Sequence, residues 1–156
     1  MKISEQEQEE TDFDWFCLDL NGEVGHFTTA GFKKLPKSVA ESKENLDLLA
    51  NYFLNVASDH SGHIVDPELS LAIPEPQNRG ERYLKSFVSM ADKGLYSYDI
   101  ASYVEAGGSY FRVASPAKPL YGSELPPEIR EVLGRTVLAI RFREHPRIAY
   151  RATLEA

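Results

Sequence analysis

Hydrophobic and polar positions alternate most clearly in FDWFCLDLNGEVGHFTTAG, residues 13–31, where two strand-forming runs flank Asn21-Gly22. Asn-Gly between such runs is the strongest short-range hairpin signal, because a type I′ turn needs positive φ at both central residues. A two-residue loop predicts that Leu20 faces Glu23, Leu18 faces Gly25, Phe16 faces Phe27 and Asp14 faces Thr29. Side chains alternate along a strand, so this register sends Phe16, Leu18 and Phe27 to the core. Trp15, Cys17, Asp19, Val24, His26 and Thr28 then share a mixed second face, with Cys17 opposite His26.

The pattern changes period after Gly31 and Pro36. Ser38 and Glu41 read as a capping box, and Leu46, Leu49, Ala50, Phe53 and Ala57 recur at helical spacing. Residues 58–80 are rich in Pro, Gly, Asp and Ser and read as a long loop with a short extended piece at 69–73; a loop of this length inside a domain is often functional. Asn78 and Glu81 predict a second helix with the stripe Tyr83, Leu84, Phe87, Val88 and Ala91, stopped by Lys93 and Gly94. Residues 95–101 and 110–114 read as a second hairpin around Gly107-Gly108. Pro126 or Pro127 opens a short helix that runs to Leu133 and closes at Gly134. Residues 137–142 alternate, with Leu138, Ile140 and Phe142 opposed to Arg141 and Arg143, and 148–153 read as a final strand. No internal repeat or heptad is present. The elements predict an α+β fold, a mostly antiparallel sheet of about five or six strands with two or three helices on one face. Residues 1–12 read as a frayed acidic terminus before a single domain over 13–156.

Composition narrows the class. The chain has 156 residues, 42% hydrophobic and 26% charged, and no apolar run reaches the ~18 residues of a membrane span. The first twelve residues contain no apolar signal region and the single Cys allows no intramolecular disulfide framework, so a cytoplasmic location is the expectation. The net charge of −7 is concentrated in residues 1–30, which hold eight acids against Lys2, while the remainder sums to zero. Residues 130–151 carry six Arg against Glu131 and Glu144. Arg suits bidentate recognition of carboxylate or phosphate.

Four constellations carry candidate chemistry. Cys17 beside His26 could generate a thiolate nucleophile, although a mid-strand Cys is more often a small buried hydrophobe. Asp59, His60 and His63, followed by Asp66, could bind a divalent cation, although the spacing matches no zinc signature. Tyr96, Tyr98, Tyr103 and Tyr110 with Arg112 could stack single-stranded bases, which the acidic balance and the lack of any RNP or helix-turn-helix pattern disfavour. Trp15, His26, Arg112, Arg141 and Arg143 form the candidate binding set, since Trp, Tyr and Arg are enriched at protein interfaces. P-loop, dinucleotide, nucleophile-elbow and HExxH motifs are all absent.

The pattern D-W-F-x-x-D-x-x-G-x-x-x-x-F-T-T-x-G over 14–31 resembles the opening of small single-domain bacterial proteins of unknown function. YFRVASPAKPL, LPPEIREVL and VLAIRF are similar to their C-terminal half. Some small acidic α+β proteins of this kind resemble immunity proteins, which neutralise a toxin by covering its active surface. The shared motifs are structural, so the resemblance implies an interaction role and carries over no catalytic residue. The leading expectation is therefore a non-catalytic, immunity- or adaptor-like domain without a cofactor, whose partner is another protein, a toxin or a second copy of the chain. It expects no membrane partner. The alternative is a small metal- or thiol-dependent hydrolase using the 59–66 loop or Cys17 and His26.

Overall fold

The structure is a computed structural model that describes residues 1–31, 33–58, 62–101 and 108–156. Among these residues the fold is α+β, with a mixed, mostly antiparallel six-stranded sheet. Strands β1 (Asp14–Leu18) and β2 (Val24–Thr28) form the first hairpin, β4 (Tyr96–Ile100) pairs with β2 in parallel, and β5 (Ser109–Pro116) is antiparallel to β4. The far edge of β5 is shared end to end by β3 (His63–Val65), opposite 114–116, and β6 (Arg147–Ala149), opposite 109–111.

The hairpin register differs by one residue from the two-residue-loop expectation. Asp14 faces Thr28, Trp15 faces Phe27, Phe16 faces His26, Cys17 faces Gly25 and Leu18 faces Val24. The loop has three residues, with Asp19 N–H donating to Glu23 O at 3.0 Å across its base. Gly22 has φ +76°, whereas Asn21 is not among the positive-φ residues, so the type I′ turn is not formed. Asp19 explains the choice. Its Oδ1 accepts from the amides of Asn21 and Glu23, both at 2.9 Å, and Oδ2 accepts from the Phe142 amide at 2.9 Å. A one-residue shift exchanges the two faces. Cys17 and His26 therefore lie on opposite sides of the sheet, and the expected thiol–imidazole pair does not exist.

Helix α3 (Lys43–Asn55), α5 (Glu81–Asp92) and α6 (Pro127–Leu133) cover one face. Leu49 and Phe53 of α3, Met90 of α5 and Ile129 and Leu133 of α6 meet Phe16 and Val24. Farther along, Phe87 and Ala91 of α5 meet Phe111 and Val113 of β5. The opposite face is an aromatic layer. Trp15 stacks on Phe27 at 4.3 Å, Phe27 stacks on Tyr98 at 4.7 Å, and Tyr110 closes edge-on at 5.0 Å to Phe27. Leu138, Phe142 and Ile148 from the C-terminal segment cover that layer together with Ile3, Leu35 and Ala40. Gly25 permits the approach of the Phe142 ring, since a Cβ there would sit 2.5 Å from Phe142 Cζ.

Several local readings are corrected by this packing. The helix expected to start at Ser38 divides into α2 (Lys37–Ala40) and α3, and Ser42 caps α3 by accepting from Asn45 N–H. Helix α5 begins after Gly80 and not at Asn78. The extended piece at 69–73 is instead α4 (Leu69–Ala72), launched by Asp66, whose Oδ1 accepts from Glu68 N–H and whose carbonyl accepts from Leu69 N–H. Residues 137–142 form no strand. They touch β1 through a single parallel bridge, Leu18 to Val137, before Asp19 captures Phe142. The predicted strand over 148–153 is shortened to β6 (Arg147–Ala149); Tyr150 N–H still donates to Gly108 O at 3.3 Å, and the chain then turns into α7 (Tyr150–Leu154). At the other end, the acidic segment forms α1 (Glu5–Glu10), capped by Ser4. Gln8 is buried and accepts from Leu35 N–H at 2.9 Å, which ties α1 to the domain. No helix among the described residues is long and apolar enough to cross a membrane.

Candidate functional site

The corrected register places Asp14, Thr28 and His26 on the helix-facing side of the hairpin. Parallel pairing of His26 with Ser97 then brings β4 alongside. His26 is 2% exposed, and its Nδ1 lies 2.7 Å from Ser97 Oγ. Its Nε2 faces Asp14 Oδ1 at 3.5 Å, an ion-pair contact too long and poorly aligned for a regular hydrogen bond. Phe16 and Phe87 pack on the ring. Between the hairpin, β4 and α5 lies a cavity of about 330 Å³, lined by Asp12, Asp14, His26, Thr28, Ala30, Ser86, Phe87 and Asp99.

Each carboxylate is held differently. Asp12 Oδ1 accepts from Thr28 Oγ1–H at 2.8 Å and from Ala30 N–H at 2.9 Å. Asp99 Oδ2 accepts from Tyr83 O–H at 2.6 Å, and Oδ1 accepts from Ile100 N–H at 2.8 Å. Burial raises the Asp99 carboxyl above its ordinary value, ahead of the Tyr83 and Ile100 hydrogen bonds that oppose it; the Asp12 charge raises it further and the His26 charge lowers it. Burial also raises Asp14, but the neighbouring His26 imidazole and, to a smaller extent, the Thr28 hydroxyl outweigh it, leaving the group below its ordinary value. Among the described residues lining the cavity there is no Lys or Arg.

Ser97, His26 and Asp14 form a hydroxyl–imidazole–carboxylate line, but Ser97 is fully buried and cannot meet a substrate. The arrangement is better suited to hold a positive group than to attack a carbonyl. No three His, Cys, Asp or Glu residues converge as metal ligands among the described residues.

The remaining candidates are dispersed. Trp15 is fully buried and donates from Nε1 to Tyr110 Oη at 3.3 Å. Arg112 is committed inside, with Nε donating to Asp66 at 2.8 Å and Nη1 to Phe142 O at 2.5 Å. Arg143 donates to the wholly buried Glu23 at 2.6 Å, and Arg141 lies against Asn21 and Glu144. Tyr96, Tyr98 and Tyr110 belong to the buried aromatic layer and present no stacking platform; Tyr103 lies outside the described residues. His63 Nδ1 is 2.9 Å from Asp92 Oδ1 beside an open groove between β3 and α5, while Asp59 and His60 lie outside the described residues.

Sequence reasoning named His26 but missed Asp12, Asp14, Ser97 and Asp99. Asp14 was legible as the acid opposite Thr28 once the loop is counted as three residues, and Asp12 as the next acid at alternate spacing. Ser97 and Asp99 arrive through a parallel pairing across some seventy residues, for which no local signal exists. No family model, curated protein or solved structure matches the chain.

Proposed function

We propose that the protein is a non-catalytic, protein-binding domain of the immunity or adaptor type, which meets a basic partner through its acidic face. The carrying observation is a run of acids that continues from the end of α1 to Asp12 at the cavity wall: Glu9, Glu10 and Asp12 have no ion-pair partner among the described residues. Glu5 and Glu7, by contrast, face Lys34 and Lys43. An uncompensated single-sign surface steers an oppositely charged partner and contributes more to association rate than to affinity. The thiol alternative has no geometric support, since Cys17 is fully buried away from His26.

The test is capture from host extract at low and raised salt, using wild type and a Glu9→Lys, Glu10→Lys, Asp12→Lys triple variant. A basic protein held by wild type, released by salt and lost by the variant is expected. Capture unaffected by charge reversal would remove the acidic face from the account. Arg141→Glu examines the Arg side, whereas reversal at Arg143 would also strip the counter-charge from buried Glu23 and confuse binding with folding.

A further inference from the structure

We propose that the open edge of β3, with the groove beside it, docks an extended, acid-bearing segment of another protein, which joins the sheet as an added strand. The groove shares no lining residue with the carboxylate cavity, and this inference does not depend on the acidic-face reading.

The backbone supplies the first observation. β3 ends the sheet order and pairs only with β5. Ile64 faces Ser115, Asp66 N–H donates to Val113 O at 2.9 Å, and Ala117 N–H donates to Gly62 O at 3.1 Å. Antiparallel partners exchange hydrogen bonds at every second position, so residues 62, 64 and 66 turn their backbone groups toward β5. The N–H and C=O groups of His63 and Val65 therefore point out along the open edge, where no strand takes them up among the described residues. Edge strands are commonly guarded by Lys, Pro or a bulge. β3 reads His-Ile-Val, and its pairing with β5 has no register shift. Such an edge is complemented by an extended backbone.

The groove supplies the second observation. It encloses about 940 Å³ between β3 and α5. His63 and Val65 form one wall, and the half-buried Leu84 and Val88 of α5 give an apolar floor. Side chains of an added strand alternate, so one set enters this groove while the other covers Ile64, which is 58% exposed on the opposite face. Charge then selects the sequence. Arg82 and Lys85 line the groove without an ion-pair partner among the described residues. Asp92 is engaged by His63 at 2.9 Å, which leaves Glu81 as the one uncommitted acid in the described lining. The surplus of positive charge favours Asp or Glu in the segment, and Arg can hold a carboxylate by two parallel bonds. Because β3 has three residues, its ladder is short and most of the contact must come from side chains in the groove. That suits a narrow segment better than a second copy of the chain, since a specific interface between folded domains needs ~1,000 Å² or more.

The experiment selects displayed random peptides on the full chain, then titrates the enriched peptides into the isotope-labelled protein and follows its backbone amides by NMR. Enriched sequences are expected to alternate Val, Ile or Thr with polar residues and to carry an Asp or Glu. Saturable shifts at His63–Val65 and along 84–88 are expected, with hydrogen exchange of the His63 and Val65 amides slowed in the complex. Val65→Pro deletes an outward N–H and no bond to β5, a change that edge strands tolerate, and it should weaken binding at least about tenfold. Should Val65→Pro unfold, peptides N-methylated at alternate backbone nitrogens carry the same test, with binding lost in one of the two alternating patterns. Arg82→Glu with Lys85→Glu should turn the preference from acidic to basic peptides. No enrichment, binding that survives both Val65→Pro and N-methylation, or shifts without slowed exchange overturn the added strand. Self-association of the free chain that shifts the same amides also overturns it, and assigns the edge to a second copy.

Discussion

Asp19 shows how one side chain can set a fold's geometry. It satisfies two amides of the hairpin loop and the amide of Phe142, a residue 123 positions away. Asp19→Ala leaves the buried amides of Glu23 and Phe142 without an acceptor, and a loss of about 3 kcal/mol is expected in urea unfolding. Burial, ahead of the opposing backbone hydrogen bonds, holds the Asp19 carboxyl above its ordinary 3.8. The folded state then keeps this proton where the unfolded chain has released it, so the group's contribution to stability falls as pH rises from 3.8 through its folded pKa. Asp19→Asn lacks that fall. Its stability relative to wild type should improve across this window, and a difference that does not move with pH would show that the carboxyl titrates as it does in the unfolded chain.

At the scale of elements, the hairpin is specified in two stages. Alternation and Asn21-Gly22 establish that two strands meet, while the loop length decides which side chains go to which layer. Leu20 is the extra loop residue and is 55% exposed, so its side chain contributes little packing. Its place in the count is what matters. Leu20→Asn should change stability by no more than about 0.5 kcal/mol. Deleting Leu20 leaves Asn21-Gly22 as a two-residue loop between Asp19 and Glu23, which keeps the strand register but disturbs the Asp19 contacts to the loop amides. Because Trp15 is the only Trp, its fluorescence reports the result directly. Native-like emission with lowered stability in urea unfolding is expected, and a red-shifted emission would show that the Asp19 loop contacts are needed to hold the register.

For the whole molecule, the decisive feature is that the sheet is covered twice. Helices bury one face, and the N- and C-terminal segments bury the other around Trp15, Phe27, Tyr98 and Phe142. Cys17 lies in the second layer, where burial, followed by the Asp19 charge, pushes its thiol well above the ordinary value. Thiolate formation and access are both required for alkylation. The folded protein should therefore resist iodoacetamide, and modification followed by mass spectrometry across a urea series should track global unfolding. Rapid modification without denaturant would mean that the C-terminal cover opens separately from the rest of the domain.

Sequence by itself determined the elements whose stabilising interactions are local. The apolar stripes of α3 and α5, the stop at Lys93-Gly94, the Pro-initiated α6 and the pairing of β4 with β5 all follow from short-range periodicity and backbone chemistry. The α+β class follows from their order. What lay beyond the sequence was decided by contacts between distant segments. Asp19 selected the register through Phe142, and the parallel alignment of β2 with β4 brought Ser97 and Asp99 beside His26 and Asp14. A strand's hydrophobic pattern admits two registers when both faces are to be buried, so only the tertiary partners could choose between them, and the cavity exists only in the register they chose.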